Sequence, residues 1–89
     1  MALVRFVSPF TDIAGKEKVH IKAENVGELC EILIEDFGPK MRVLLDEKGD
    51  VSKDIVILVD RRNVHTLRGS GTALCENSEV LIMPHIMGG

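Results

Sequence analysis

The 89-residue sequence carries a formal net charge of −3, with 45% hydrophobic and 28% charged residues. This length corresponds to one domain of ordinary globular composition, because chains split into several domains only when they are much longer. Three phenylalanines without tryptophan or tyrosine, and a single adjacent basic pair at Arg61-Arg62, argue against nucleic-acid binding, which uses aromatic stacking platforms or clustered cations.

Two strands begin the predicted fold. Residues 2–7 (ALVRFV) are rich in strand-forming residues, with Leu3, Arg5 and Val7 facing one way and the intervening residues the other. Residues 19–22 (VHIK) alternate in the same manner. A proline, an aspartate and a glycine interrupt the segment between them. We therefore expect an antiparallel hairpin joined by a floppy loop of about ten residues.

A helix of about twelve residues is the clearest predicted element. Apolar side chains recur at the spacing of one buried helix face, at Val26, Leu29, Cys30, Leu33, Ile34 and Phe37. Asn25 can cap the first turn, and Glu28 follows three residues later as in a capping box. We expect Gly38 to form a left-handed C-terminal cap and Pro39 to end the helix.

Three further strands are predicted after the helix. They are a short strand at 41–45 (MRVLL), an apolar run at 55–59 (IVILV) that we expect to be buried on both faces, and a last strand at 79–83 (EVLIM). The connection that contains the helix favours a parallel or crossover placement of the late strands beside the first. The order predicts an α+β fold of the β-grasp class over residues 1–84. It would be a mixed sheet of four to five strands with one main helix packed on one face.

The predicted domain contains no recognisable catalytic apparatus. His20, His65 and His85 lack the spacing of a metal site. The GxSxG pattern of a serine nucleophile is absent, and the GSG at 69–71 lacks the lysine of a phosphate-binding loop. We therefore expect a protein that is not itself an enzyme and binds no metal or cofactor, so that its partners would supply the catalytic groups.

Residues 85–89 (HIMGG) form a predicted flexible tail, which can extend about 16 Å from the domain. Gly88 and Gly89 have no Cβ, so they can enter a slot too narrow for any side chain. Such a slot would reach the α-carboxylate of Gly89. Adenylation by ATP in a partner's active site would turn this carboxylate into an acyl donor that sulfur or a cysteine can attack. We predict that Gly88-Gly89 is the functional end of the protein.

Cys30 and Cys75 are the only cysteines, and they lie far apart in the sequence. The sequence has no leader in which charged residues precede an apolar run. It also has no apolar run near the roughly 20 residues that span a bilayer. We expect a cytoplasmic protein with two free thiols and with neither a membrane nor a nucleic acid as partner.

The C-terminal third of the chain closely resembles that of the ubiquitin-like sulfur carriers. This family includes the small subunit of molybdopterin synthase, its thiamine-pathway relatives and archaeal modifiers. The residues that match the family pattern are Val59, Thr72, Ala73, Leu74, Glu79, Val80, Pro84, Gly88 and Gly89. Upstream, VRFV at 4–7 and DIAG at 12–15 look like the family's first strand and loop. The sequence departs from the pattern at 76–79, where ENSE replaces an acidic glycine turn, and at Thr11 and His85, where arginine and proline are often found.

The resemblance implies roles for the last four residues of the tail. A ubiquitin-activating-type enzyme would adenylate Gly89 with ATP, and Gly89 would then become a thiocarboxylate. The tail would insert into the large subunit of molybdopterin synthase, in a heterotetramer, and donate sulfur to the pterin precursor of the molybdenum cofactor. Ile86 and Met87 would line the entry channel as apolar anchors beside Gly88.

The sequence leaves other functions open. Gly89 could instead form an isopeptide bond with target lysines, as in a ubiquitin-like protein modifier. The same activated end could carry sulfur for tRNA thiolation or thiamine synthesis. A function of a different class is a plain interaction module that never activates its tail.

A docking patch beside the tail is a separate prediction. Because the helix covers only one side of the sheet, Val7, Leu58 and Met83 cannot all be assumed to be buried. We predict that outward apolar residues at these positions form a surface that the activating enzyme and the synthase partner share.

Overall fold

The structure, a computed structural model, describes residues 1–85. Its elements in chain order are β1 (Ala2–Phe6), α1 (Phe10–Ala14), β2 (Lys18–Ile21), α2 (Val26–Phe37), β3 (Ile55–Val59), β4 (Arg62–Asn63) and β5 (Glu79–Pro84). Short 3₁₀ helices occupy Pro39–Leu44, Val64–Thr66 and Gly69–Gly71. The last four residues, which include most of the predicted tail, lie outside the described residues.

The five strands form one mixed sheet in the order β2-β1-β5-β3-β4. β1 and β5 are parallel, with Val4 level with Val80. β2 pairs with β1, and β3 with β5 and β4, in antiparallel fashion. The connection from β2 to β3 contains α2 and crosses from one side of the sheet to the other. This topology confirms the predicted β-grasp, including the parallel placement of the last strand beside the first.

The hydrophobic core lies between α2 and one face of the sheet. Leu29 and Leu33 of α2 and Ile57 and Ile82 of the sheet are fully buried. At the end of the helix, the rings of Phe37 and Phe6 meet edge to face with centroids 6.2 Å apart. A fully buried Leu or Ile side chain contributes roughly 1.5–3 kcal/mol of transfer free energy, so this layer holds the helix on the sheet.

The ends of α2 follow the sequence closely. The Asn25 side chain accepts a hydrogen bond of 2.8 Å from the Glu28 amide, which confirms the predicted cap. Gly38 has a φ of 98° and a ψ of −179°, and its N–H donates to the Ile34 carbonyl. The positive φ explains the glycine, but this ψ is extended, so the predicted left-handed cap is wrong. The extended ψ lets Pro39 start the next 3₁₀ helix directly.

The strand predicted at 41–45 is wrong, because these residues belong mainly to the 3₁₀ helix Pro39–Leu44. Met41 and Leu44 are both fully buried, and their spacing of three residues places them on the same side of a 3₁₀ helix. Leu45 alone makes an isolated bridge, to Val51. The fifth strand of the sheet is instead the short edge strand β4.

The connection between β1 and β2 is ordered by its own short helix. Phe10, the first residue of α1, is only 2% exposed. Gly15 ends the helix in the left-handed conformation with a φ of 72°, and its N–H donates to the Thr11 carbonyl. The predicted floppy loop is therefore wrong, because a buried aromatic ring anchors the segment to the core.

β3 is buried on one face only. Ile55, Ile57 and Val59 are buried under α2, whereas Val56 and Leu58 point the other way and are half-buried. The prediction of burial on both faces is wrong, since no second layer covers the sheet within residues 1–85. Apolar side chains consequently remain accessible on the face opposite the helix.

Candidate partner-docking site

The sheet face opposite α2, called the outer face from here on, is the candidate docking surface. It carries alternate residues of the three central strands, namely Leu3, Arg5, Val56, Leu58, Leu81 and Met83. Strand pairing sets these residues in rows. Leu58 is level with Leu81, and Leu81 with Arg5. Met83 is level with Val56 in the next row.

The structure brings the predicted patch residues Val7, Leu58 and Met83 onto this face. Val7 follows β1 directly, is 39% exposed, and donates its N–H to the Ile82 carbonyl at 3.0 Å. Because Phe6 is level with Ile82 in the parallel pair, Val7 continues the register beside Met83. Leu58 and Met83 are half-buried. Their shared face is thus observed, whereas their role in partner binding stays a prediction.

A shallow cavity of about 130 Å³ lies on the same face. Leu58 and Leu81 form its apolar part, and Arg5 and Arg61 contribute cationic side chains. Sequence reasoning missed both arginines as site residues. The signal for Arg5 was present, because the alternation in ALVRFV places it on the same face as Val7. Arg61 could not be found in this way, since it lies in a turn.

The turn between β3 and β4 places Arg61 at the cavity. Asp60 and Arg61 have φ values of 49° and 73°, the signs that a type I′ hairpin turn requires at both central residues. Asp60 is held by two hydrogen bonds with Glu79, from its N–H to the carbonyl at 2.9 Å and from the Glu79 N–H to Oδ1 at 3.0 Å. For Arg61, a left-handed backbone costs roughly 1–2 kcal/mol.

The tail leaves the domain at the end of β5. Pro84 is level with Ile55 of β3, and His85 donates its N–H to the Asp54 carbonyl at 2.9 Å. The chain therefore leaves the sheet beside the row that contains Met83 and Val56. The predicted tail residues Ile86, Met87, Gly88 and Gly89 lie outside the described residues.

The two cysteines differ in their surroundings. Burial, with a further contribution from the neighbouring Glu31 carboxylate, raises the pKa of the Cys30 thiol to about 12. Because the thiolate is the reactive form, Cys30 is a core residue and not a nucleophile. Cys75 is exposed.

Neither a metal-binding cluster nor a membrane-spanning helix occurs in the described part of the chain. Within residues 1–85, no three His, Cys, Asp or Glu side chains are grouped so that they could hold a metal ion. Over the same range, no helix has the length and apolar character needed to cross a membrane.

The sequence profile of the ThiS family matches residues 4–89. This chain belongs to the ThiS family. The match covers almost the whole β-grasp domain and runs through Gly88-Gly89. The family match agrees with the resemblance to ubiquitin-like sulfur carriers that the sequence shows.

Two similar archaeal proteins carry the name of modifiers. Small archaeal modifier protein 3 of Haloferax volcanii is 25% identical over 97% of this chain and 96% of its own length. The solution structure of small archaeal modifier protein 1 from Methanosarcina acetivorans is also 25% identical. It superposes with a TM-score of 0.83 over 99% of this chain and 95% of that one.

A bacterial structure shares the fold at lower identity. It is the complex of BexX and CysO from Amycolatopsis orientalis, which contains a chain with a TM-score of 0.88 and 18% identity, with both chains fully covered. At this identity the likeness shows the fold alone.

Proposed function

We propose that this protein is a sulfur carrier whose Gly89 is activated as an adenylate and converted to a thiocarboxylate. The observation that carries the proposal is the family match, which extends through Gly88-Gly89. The proposal requires Gly89 to bear the free α-carboxylate in the mature protein. In its most specific form, the acceptor of the sulfur is the pterin precursor of the molybdenum cofactor, and the chain is the small subunit of molybdopterin synthase.

The chemistry needs only the carboxylate from this chain. One carboxylate oxygen of Gly89 attacks the α-phosphorus of ATP, and pyrophosphate leaves. A hydrosulfide ion then attacks the acyl carbon, and AMP leaves with its oxygen, so that a C–S bond replaces a C–O bond and the terminus becomes a thiocarboxylate. ATP and the catalytic groups belong to an adenylating enzyme of the ubiquitin-activating type. Neither glycine has a Cβ, so the end of the tail can enter a narrow active site.

The outer face would provide the rest of the binding surface. Val7 and Met83 lie in the row nearest the start of the tail, and Leu58 lies in the next row. A partner that engages the tail can cover these apolar side chains at the same time. We propose that the adenylating enzyme and the large synthase subunit use this surface in turn, with Ile86 and Met87 as anchors in the channel that receives the tail.

The test is intact-mass spectrometry after incubation with the adenylating enzyme, ATP and a sulfur source. We expect a mass gain equal to the replacement of one oxygen by sulfur, located at Gly89 by fragmentation. The matched control is the same chain without Gly89, which should fold but show no gain. Adenylation without sulfur uptake, or a mature protein that continues past Gly89, would contradict the proposal.

A protein modifier is the second candidate function. It is favoured by the two archaeal relatives that are named as modifiers. In this case the carboxylate of Gly89 forms an isopeptide bond with a lysine amine, and the adenylate is again the activated intermediate. The last tryptic cleavage site of this chain is Arg68, so trypsin would leave residues 69–89 attached to a conjugated lysine. Proteomic detection of this remnant on cellular lysines, lost when Gly89 is deleted, would support conjugation. Sulfur transfer to tRNA or to a thiazole precursor would leave the lysines unmodified, and assays with each acceptor distinguish these routes.

A further inference from the structure

We propose that Arg5 and Arg61 form a two-arginine clamp that selects an adenylating partner with an aliphatic side chain set between carboxylates. The clamp rests on the proposed function, since it assigns the chemistry of the partner's docking surface. Leu58 and Leu81 would receive the aliphatic side chain. The two guanidinium groups would bind the flanking carboxylates.

The cavity has the layout that such a partner needs. Arg5, Leu81 and Leu58 are level with one another on three adjacent strands. Adjacent strands lie about 4.8 Å apart, so the Cα atoms of Arg5 and Leu58 are about 10 Å apart. Arg61 reaches the same cavity of about 130 Å³ from the turn that follows β3. The apolar centre is thus bordered by a cation from each of two separate segments.

The backbone at Arg61 is a second and independent observation. Its φ of 73° lies in the left-handed region, where glycine or asparagine would be accommodated without strain. Asp60, which is also left-handed, is stabilised by its hydrogen bonds with Glu79. Among the residues that the structure describes, no hydrogen bond of the Arg61 side chain offsets its own backbone strain. The hairpin turn requires this backbone conformation but does not require an arginine, and strained non-glycine residues of this kind cluster at binding sites.

The charges of the domain are distributed to match an acidic partner. The outer face carries Arg5, Arg61 and, level with Arg5, Lys18 of β2. Glu79 is the one carboxylate among the residues that line the cavity. On the opposite side of the molecule, α2 carries only acidic charged residues, at Glu28, Glu31, Glu35 and Asp36, although Arg42 lies beside Glu31 and Glu35 and Lys16 lies over the Phe37 ring. In a chain with a net charge of −3, this separation directs the outer face toward carboxylates.

One partner can cover the clamp and the start of the tail together. His85 lies four positions after Leu81, which is about 13 Å along an extended strand. An interface of standard size buries about 800 Å² on each partner, so it extends about 16 Å from its centre. The clamp therefore lies within the footprint of a protein that holds the tail in its active site.

The experiment is ATP–pyrophosphate exchange by the adenylating enzyme of the same cell, with the full chain as substrate. We expect Arg5→Glu and Arg61→Glu each to raise KM about tenfold, with little change in kcat, because rim charges act on association. The wild-type KM should rise with salt, and this dependence should weaken in both variants. The matched control is Arg62→Glu, which makes the same charge change one residue away. Arg62 is paired with Val59, which faces α2, so Arg62 lies on the α2 side of the sheet. The KM of the Arg62→Glu variant should therefore stay at the wild-type value.

Arg61→Gly separates binding from folding. Glycine adopts the left-handed conformation without strain, so the melting temperature should rise. The KM should also rise severalfold, because the guanidinium group is lost. A wild-type KM in Arg5→Glu and Arg61→Glu, or an equal rise in Arg62→Glu, would overturn the clamp and leave the proposed function standing. If the wild-type chain supported no exchange, or supported it equally without Gly89, the proposed function would fail and the clamp with it.

Discussion

Replacement of Gly69 by alanine should destabilise the domain mainly through Asp50. Gly69 has a φ of 54°, and a Cβ at this position would lie 2.6 Å from Asp50 Oδ1. That oxygen accepts hydrogen bonds of 2.8 Å from the amides of Ser70 and Val51. Because Asp50 is exposed, its carboxylate can swing into solvent, but it then loses both bonds. The alanine would therefore cost the left-handed backbone strain plus the two hydrogen bonds.

The magnitudes allow a test by a double-mutant cycle. Left-handed strain at alanine costs roughly 1–2 kcal/mol, and two exposed hydrogen bonds contribute about 1–2 kcal/mol together. Gly69→Ala should thus cost about 3 kcal/mol and Asp50→Ala about 1–2 kcal/mol. In the double variant the added methyl group has no carboxylate to displace. The total loss in the free energy of unfolding should therefore stay near 3 kcal/mol, which corresponds to a coupling energy of about 1–2 kcal/mol between the two substitutions.

The assay is urea unfolding followed by far-ultraviolet circular dichroism, because the chain has no tryptophan or tyrosine. A change of 1 kcal/mol shifts the melting temperature of such a domain by about 4–8 °C, so thermal unfolding provides a second readout. Asp54→Ala is a suitable control, since it removes a carboxylate near Asp50 in sequence. Strict additivity of Gly69→Ala and Asp50→Ala would refute the reasoning, because it would mean that the methyl group does not displace the carboxylate.

Three further predictions concern other parts of the domain. Backbone hydrogen bonds from Ser70 and then Val51 hold the pKa of Asp50 below its ordinary value of 3.8. The stabilisation is therefore present above that value and lost as the pH falls through the lower, folded-state pKa, so Asp50→Ala and the wild type should converge in urea titrations at acid pH. Leu58→Asp should weaken the complex with the adenylating enzyme and hardly change the melting temperature, whereas Ile57→Asp, at the buried neighbour, should unfold the domain; equal melting losses would place Leu58 in the core. Iodoacetamide should label only Cys75 in the native protein, by mass spectrometry, and rapid labelling of Cys30 would contradict its burial.

The sequence predicted α2 accurately because its signals are local. The cap at Asn25 and the apolar period define the helix without reference to the rest of the chain. The segment at 41–45 was predicted wrongly for the opposite reason. Met41 and Leu44 are buried by contacts with distant parts of the core, and five residues with an apolar end cannot distinguish a strand from a 3₁₀ helix. Phe10 was missed in the same way, since turn-forming neighbours hid a residue that tertiary packing buries.

The outer face could be predicted only in part. Val7, Leu58 and Met83 followed from strand alternation and from the presence of a single helix. The contribution of Arg61 depends on a hairpin turn that lacks the usual Asn-Gly or Asp-Gly signal. The sequence DRRN at 60–63 predicts a turn but does not fix its type, so the side chain of Arg61 could not be assigned to the face from the sequence alone.

Alternate residues of β3 are subject to different constraints, because they face opposite sides of the sheet. Positions 55, 57 and 59 are buried on the side of the helix, whereas positions 56 and 58 lie on the outer face. If the outer face binds partners as proposed, point substitutions at the outward positions should change partner choice with little effect on folding. A one-residue insertion within the strand would exchange the two sets and impair both at once. During evolution, such a domain can acquire new binding partners by substitution on the outer face, whereas insertions or deletions within its strands are not tolerated.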